Sequence, residues 1–260
     1  MPTRPRRPLM RPPAVWCACT DTGHVRDNNE DAVAVDPARG LAVLADGMGG
    51  YNAGEVASTM AVELVMEQLG QWLEKVGAAA RPQAIARAMQ TCVAHANRAI
   101  FEAACENADF EGMGTTLVAA ALHGKNLLIG HIGDSRAYRL RGGVLQQLTR
   151  DHTLLQEQID QGLISEEEAA FSPYRGLLTQ ALGVQENAPL DVLTQTVEPG
   201  DLYLLCSDGL TDMLDNATLA DALAGDAPLT AMAQTLLDMA NAEGGHDNIS
   251  LILFRLPSSL

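Results

Sequence analysis

The chain has 260 residues, 47% of them hydrophobic, and a formal charge of −16 from 33 acidic and 17 basic side chains. That apolar share can fill a sizeable core, whereas the negative charge opposes nucleic-acid binding, which needs a positive surface to neutralise phosphates. No apolar run approaches the roughly 18–20 residues of a membrane span, and no repeat or long Gly/Ser linker divides the chain, so a single domain without a membrane span is expected.

Residues 1–13 are rich in proline and carry Arg4, Arg6, Arg7 and Arg11. Such a stretch buries too little to order itself and predicts a disordered basic tail; it has no apolar core of a signal peptide. A catalytic domain over residues 14–257 should follow. Three short strands are expected at residues 15–20, 31–36 and 41–45, with connections short enough to favour antiparallel pairing. Residues 55–76 place Val56, Met60, Leu64, Val65 and Leu69 at helical spacing, and residues 82–104 form a second, Ala-rich helical stretch.

Strand patterns return at residues 116–122, 127–133, 136–140 and 144–148, with turns at Gly124-Lys125 and Gly142-Gly143. Two short helices are expected at residues 153–162 and 165–170, the second opened by Ser165 with Glu168 at the capping-box position. Strands at residues 190–197 and 202–206 are split by the turn Glu198-Pro199-Gly200-Asp201. Helices at residues 218–223 and 229–241 precede a last strand at residues 249–254. Strands in blocks and helices in blocks define an α+β fold with helices laid on antiparallel sheets, not a doubly wound sheet.

The five cysteines, Cys17, Cys19, Cys92, Cys105 and Cys206, are odd in number and scattered. They do not form a disulfide framework, Cys17 and Cys19 lack a matching second pair for zinc, and a cytoplasmic location suits them.

Asp46, Asp134, Asp208 and Asp247 each sit at the end of an expected strand beside glycine. Asp-Gly is common in hairpins, but after Asp46-Gly47 and Asp208-Gly209 the pattern turns helical. Carboxylates gathered at strand ends without cationic neighbours are what hard divalent cations require. Earlier, Arg26 precedes Glu30 and Asp31 just before a strand; its planar fork suits phosphate oxygens.

Together these segments resemble the type 2C metal-dependent protein phosphatases, the PPM family of serine/threonine phosphatases. The matching residues are Arg26 with Asn29-Glu30-Asp31, Asp46-Gly47-Met48-Gly49-Gly50, Gly114-Thr115-Thr116, Gly133-Asp134-Ser135-Arg136 and Leu148-Thr149-Arg150-Asp151-His152. Thr179-Gln180-Ala181-Leu182-Gly183, Ser207-Asp208-Gly209 and Gly245-His246-Asp247-Asn248 complete the series in the family's order.

The resemblance implies a four-layer αββα sandwich, two antiparallel β-sheets flanked by helices, with a binuclear Mn²⁺ or Mg²⁺ site at one end. By it, Asp46 bridges both metals, Asp208 and Asp247 serve the first, and the Gly47 carbonyl serves the second. Glu30 and Asp31 act directly or through water, Asp134 and Asp208 share a weaker third ion, and Arg26 grips phosphate. A hydroxide bridging two divalent ions would then attack phosphorus, with Arg26, Asp31 and Asp46 carrying the catalysis. Met48 stands where many eukaryotic members have a histidine able to protonate the leaving oxygen, and His152 is a weak substitute for it. Residues 152–179 resemble the family's flap, with Pro173-Tyr174-Arg175-Gly176 at its tip.

The expected enzyme is a bacterial-type, stand-alone, monomeric protein-serine/threonine phosphatase. Its partners would be phosphorylated proteins, including a Ser/Thr kinase and that kinase's substrates. The alternative is a catalytically inactive phosphoprotein-binding scaffold; such relatives typically lose metal-binding carboxylates, and this chain keeps Asp46, Asp134, Asp208 and Asp247. A dinucleotide site at Gly47-Met48-Gly49-Gly50 fails because Asn52 stands where the fingerprint needs glycine, and the acidic balance disfavours a two-metal nuclease.

Overall fold

The computed structural model describes residues 14–50 and 53–258; the expected Arg-rich tail, residues 1–13, lies outside them. The strands are β1 (Val15–Asp21), β2 (Asp31–Asp36), β3 (Leu41–Met48), β4 (Gly114–Thr115), β5 (Leu117–His123), β6 (Asn126–Ile132), β7 (Arg136–Arg141), β8 (Val144–Gln147), β9 (Asp191–Thr196), β10 (Leu202–Cys206) and β11 (Ile249–Arg255). The helices are α1 (Ala53–Val76), α2 (Pro82–Glu106), α3 (Leu154–Asp160), α4 (Glu166–Ala170), α5 (Asp208–Thr211), α6 (Asn216–Leu223) and α7 (Leu229–Ala242).

Two antiparallel sheets form, one in the order β1-β11-β10-β7-β8 and the other β2-β3-β5-β6-β9, with β4 paired to β3. Side chains alternate across each strand, and the alternation explains the layers. In β3, Leu41, Val43 and Ala45 face the α1/α2 layer, while Ala42 and Leu44 join the core between the sheets. In β10, Leu202, Leu204 and Cys206 face α6 and α7, while Tyr203 and Leu205 point to the other sheet. Because both faces are covered, these strands read as unbroken apolar runs. Trp16 and Tyr203 stack on Phe254 in the central core, with centroids 4.3 and 4.9 Å apart.

The four-layer αββα sandwich is therefore present. Most expected elements recur with ends shifted by a few residues, and the capping box at Ser165 and Glu168 forms. One boundary differs in a way that matters: β3 does not stop at Ala45 but continues through Asp46 and Gly47 to Met48. Its extension is held by β4, where Gly47 faces Thr115 and Met48 faces Gly114.

Candidate metal centre

Strand register places the first pair of carboxylates. Asp31 opens β2 directly opposite Asp46 on β3, and Asp208 begins α5 immediately after β10. Thr116 fixes the Asp46 backbone on both sides: its amide donates to the Asp46 carbonyl at 2.9 Å, and its hydroxyl accepts the Asp46 amide at 3.0 Å. Gly47 is required by close approach, since a Cβ there would lie 2.1 Å from the Gly54 carbonyl oxygen and 2.5 Å from that of Glu30. Gly54 is as tightly confined, because a Cβ on it would lie 2.7 Å from Glu30 Oε2. The start of α1 is thus seated against the loop carrying Glu30.

Asn248 joins the two distant parts of the chain that meet here. Its side-chain oxygen accepts the Glu30 amide at 2.8 Å, and its side-chain nitrogen donates to the Thr22 and Asn28 carbonyls, each at 2.9 Å. Ser207 donates its hydroxyl to Asp31 Oδ2 at 2.9 Å. Asp247 is ion-paired with Arg26 at 2.6 Å, with half of the arginine side chain exposed.

The acids repel one another. Burial first, then the charges of Asp208 and Asp247, push the Asp31 carboxyl up to about 7, against the pull of hydrogen bonds from Ser250 and Ser207. Burial and the nearby Asp212 and Asp247 charges raise Asp208 to about 6. Burial also carries Asp46 and Asp134 well above the usual carboxylate range, with Asp208 adding to both. Among the described residues, no lysine or arginine forms an ion pair with Asp31, Asp46, Asp134 or Asp208. Asp31 Oδ1 and Asp208 Oδ1 are buried with no hydrogen-bond partner. Buried carboxylate oxygens without donors or cations are costly, and an all-oxygen donor set fits Mn²⁺ or Mg²⁺ rather than zinc.

Asp134 stands beside a small cleft of about 190 Å³ that also touches Asp208, Asp212, Arg136, Arg175 and Gly176. Larger clefts lie elsewhere, but none contains these carboxylates. Arg136 grips the buried Asp151 with both ends of its fork, at 2.6 to 3.0 Å. Arg175 is engaged by Asp212 at 3.1 Å, tying residues 171–177 to the turn after Asp208.

The His152 ring is engaged on both of its nitrogens. Its backbone N–H donates to the Gly133 carbonyl, its own carbonyl accepts the Thr179 amide, and its Nδ1 accepts the Gly133 amide at 3.2 Å. That tautomer carries its proton on Nε2, which faces Asp191 at 3.4 Å. For the same reason the nearby trio of His131, His152 and Asp191 is unsuited to a metal: the His152 nitrogen that would ligate is a donor. Thr116, Ser207 and Asn248 stand in the matching motifs, but their positioning roles are not legible until the tertiary fold brings their partners in.

Carboxylates gathered without cationic partners at one end of an αββα sandwich make a site suited to hard divalent cations. Residues 21–253 match the family described as Protein phosphatase 2C, and the chain belongs to it. It is 38% identical over 237 residues to the serine/threonine phosphatase stp of Listeria innocua, covering 90% of this chain and 92% of that protein. Its fold matches the serine/threonine phosphatase PstP/Ppp of Mycobacterium tuberculosis with a TM-score of 0.84 and 38% identity, over 94% of this chain and 99% of that one. A structure of the PstP catalytic domain in complex with two manganese ions matches with a TM-score of 0.81 and 37% identity, over 94% and 99% of the two chains.

Proposed function

We propose that this chain hydrolyses phosphoserine and phosphothreonine in proteins with the help of divalent cations. The observation that carries the reading is the set of buried, cation-free carboxylates with unpartnered oxygens on Asp31 and Asp208. Asp46, Asp208, Asp247, the Gly47 carbonyl, Glu30 and Asp31 would hold two ions, Mn²⁺ or Mg²⁺. Asp134, with Asp208, would hold a weaker third. Bound there, the ions supply Lewis acidity and an activated water for attack on phosphorus.

The protein's own part is positioning. Arg26 uses one edge of its guanidinium on Asp247, leaving further N–H donors for phosphoryl oxygens, whose developing charge they stabilise. Asp31 and Asp46, opposed in register, keep the cation donors at a fixed spacing on two rigid strands. Thr116 and Ser207 orient these acids, and Asn248 holds the loop that carries Arg26 and Glu30. Met48 has no proton to give the leaving oxygen.

The inactive-scaffold alternative finds no support: all the carboxylates it should have lost are present, and the similar proteins are phosphatases. The physiological partners are phosphoproteins, including a Ser/Thr kinase and its substrates, met by a monomer. Five free cysteines suit a cytoplasmic setting, and no helix among the described residues is long and apolar enough to cross a membrane. The test is hydrolysis of p-nitrophenyl phosphate and a phosphothreonine peptide by wild type and Asp208→Asn, with Mn²⁺ and with EDTA. Turnover that needs the metal and collapses in the variant supports the reading; a well-folded wild type that turns over neither substrate with Mn²⁺ or Mg²⁺ refutes it.

A further inference from the structure

On a chain with 33 acidic and 17 basic residues, one groove is lined by three cations and no acidic side chain. It runs between α1 and α2, with a volume of about 910 Å³, and Lys75, Arg81 and Arg87 line it with Trp72 and His95. The sequence explains why these residues share a face. Gln68, Gln71, Trp72 and Lys75 follow at spacings of three and four along α1, as do Ala84, Arg87, Ala88, Thr91 and His95 along α2. Trp72 is half-buried, resting on the helix–sheet core while presenting its other side to the groove.

Among the described residues, Lys75, Arg81 and Arg87 are exposed and form no ion pair, whereas Arg39, Arg98, Arg136, Arg141 and Arg150 each have a carboxylate partner. A fourth source of positive potential lies alongside. The 25-residue helix α2 begins in the groove at Pro82, with no side-chain cap from Arg81 and no acidic residue in its first turn, so the positive end of its dipole is not offset.

We propose that this groove docks a short acidic segment of the proteins on which the enzyme acts. The phosphatase reading enters only through the identity of those proteins, not through the binding itself. Charge complementarity names the occupant. A long polyanion or an anionic membrane would extend past the groove onto a surface of strongly negative charge, whereas a short acidic peptide fits within about one Debye length, ~10 Å, of the cations. The site is remote: the stretch of α1 from Gly54 at the metal centre to Lys75 rises by about 30 Å. A docked segment would therefore raise the local concentration of a tethered phosphoresidue without touching the chemistry.

The experiment uses the full chain, a labelled decaglutamate peptide followed by fluorescence anisotropy at low salt, and the variant Lys75→Glu/Arg81→Glu/Arg87→Glu. Wild type should bind the peptide, with affinity falling as salt rises, and the charge-reversed variant should bind at least about thirtyfold more weakly. The neutral variant Lys75→Gln/Arg81→Gln/Arg87→Gln should lose about tenfold and serves if the reversed one does not fold. Turnover of p-nitrophenyl phosphate should be unchanged in both. For a phosphothreonine peptide joined to an acidic run by about twelve residues, whose extended reach is ~40 Å, KM should rise about tenfold at constant kcat.

Equal peptide binding by wild type and variants, or no binding by wild type, overturns the proposal. So does binding of phosphatidylglycerol vesicles or a dT oligomer in place of the peptide. If wild type lacks phosphatase activity yet binds the peptide through these three residues, the docking site stands and the phosphatase reading falls.

Discussion

Two groups of acids in this protein live under opposite rules. On the flank of the β10 sheet, Asp201 is 1% exposed and Arg141 holds both its oxygens, at 2.7 and 2.6 Å; Tyr203 adds a hydrogen bond at 3.0 Å. Asp151 has Arg136 in the same way. At the end of the sandwich, Asp31, Asp46, Asp134 and Asp208 are gathered without any such partner. The first group neutralises its charge inside the fold, and its carboxylates are structural. The second keeps donor capacity open, which is what a protein must do if a cation is to be bound from solution. The presence or absence of an arginine fork tells the two apart.

Four measurements put that contrast at risk. The largest effect should come from Asp208→Asn, which should lower Mn²⁺-dependent turnover by roughly two to three orders of magnitude, while differential scanning calorimetry in EDTA finds the variant no less stable than wild type. A variant both inactive and strongly destabilised without metal would place Asp208 with the structural acids. Next, Asp201→Ala should cost about 3 kcal/mol in chemical denaturation, at the low end for a broken buried pair because Arg141 keeps some solvent contact. Its metal titration should match wild type.

The pH dependence in EDTA follows from the same contrast. Asp31 and Asp208 have folded-state values raised to about 7 and about 6, above their unfolded value, so the folded state binds more protons. Their stabilisation is fully present only below the ordinary carboxylate value of 3.8 and is lost as pH rises through about 6 and about 7. Metal-free protein should therefore melt at a higher temperature at pH 5 than at pH 7.5, and saturating Mn²⁺ should remove or invert the trend. A flat profile in EDTA would mean the acids do not repel one another as described. Smallest of all, Arg175→Ala removes a half-exposed pair with Asp212 and should cost less than about 1 kcal/mol, with any few-fold change confined to KM for peptide substrates.

Much of the fold can be read from the strand and helix periods, because most elements are long enough to carry their own pattern. The extension of β3 cannot: Gly47 and Met48 look like the start of a loop, and their partners Thr115 and Gly114 arrive from far along the chain. The same divide runs through the candidate centre. Asp46 and Asp208 announce themselves as acids after apolar runs and before glycine. Asn248 stands in a matching motif, but nothing local shows that its three hydrogen bonds hold the loop of residues 22–30. The groove cations are the least legible of all, since Lys75, Arg81 and Arg87 look like a solvated helix surface until two helices are laid side by side.

The placement of β11 sets an order on the protein's birth. The last strand in the chain is not at an edge but lies between β1 and β10, and the Asp247-Asn248 turn before it clasps the loop that follows β1. A chain emerging from the ribosome can lay down β2, β3, β5 and β6 on α1 and α2 early. Its other sheet stays split until roughly the 255th residue is free. The same event brings Asn248 onto the loop that carries Arg26 and Glu30, so that loop is pinned only when the last strand arrives.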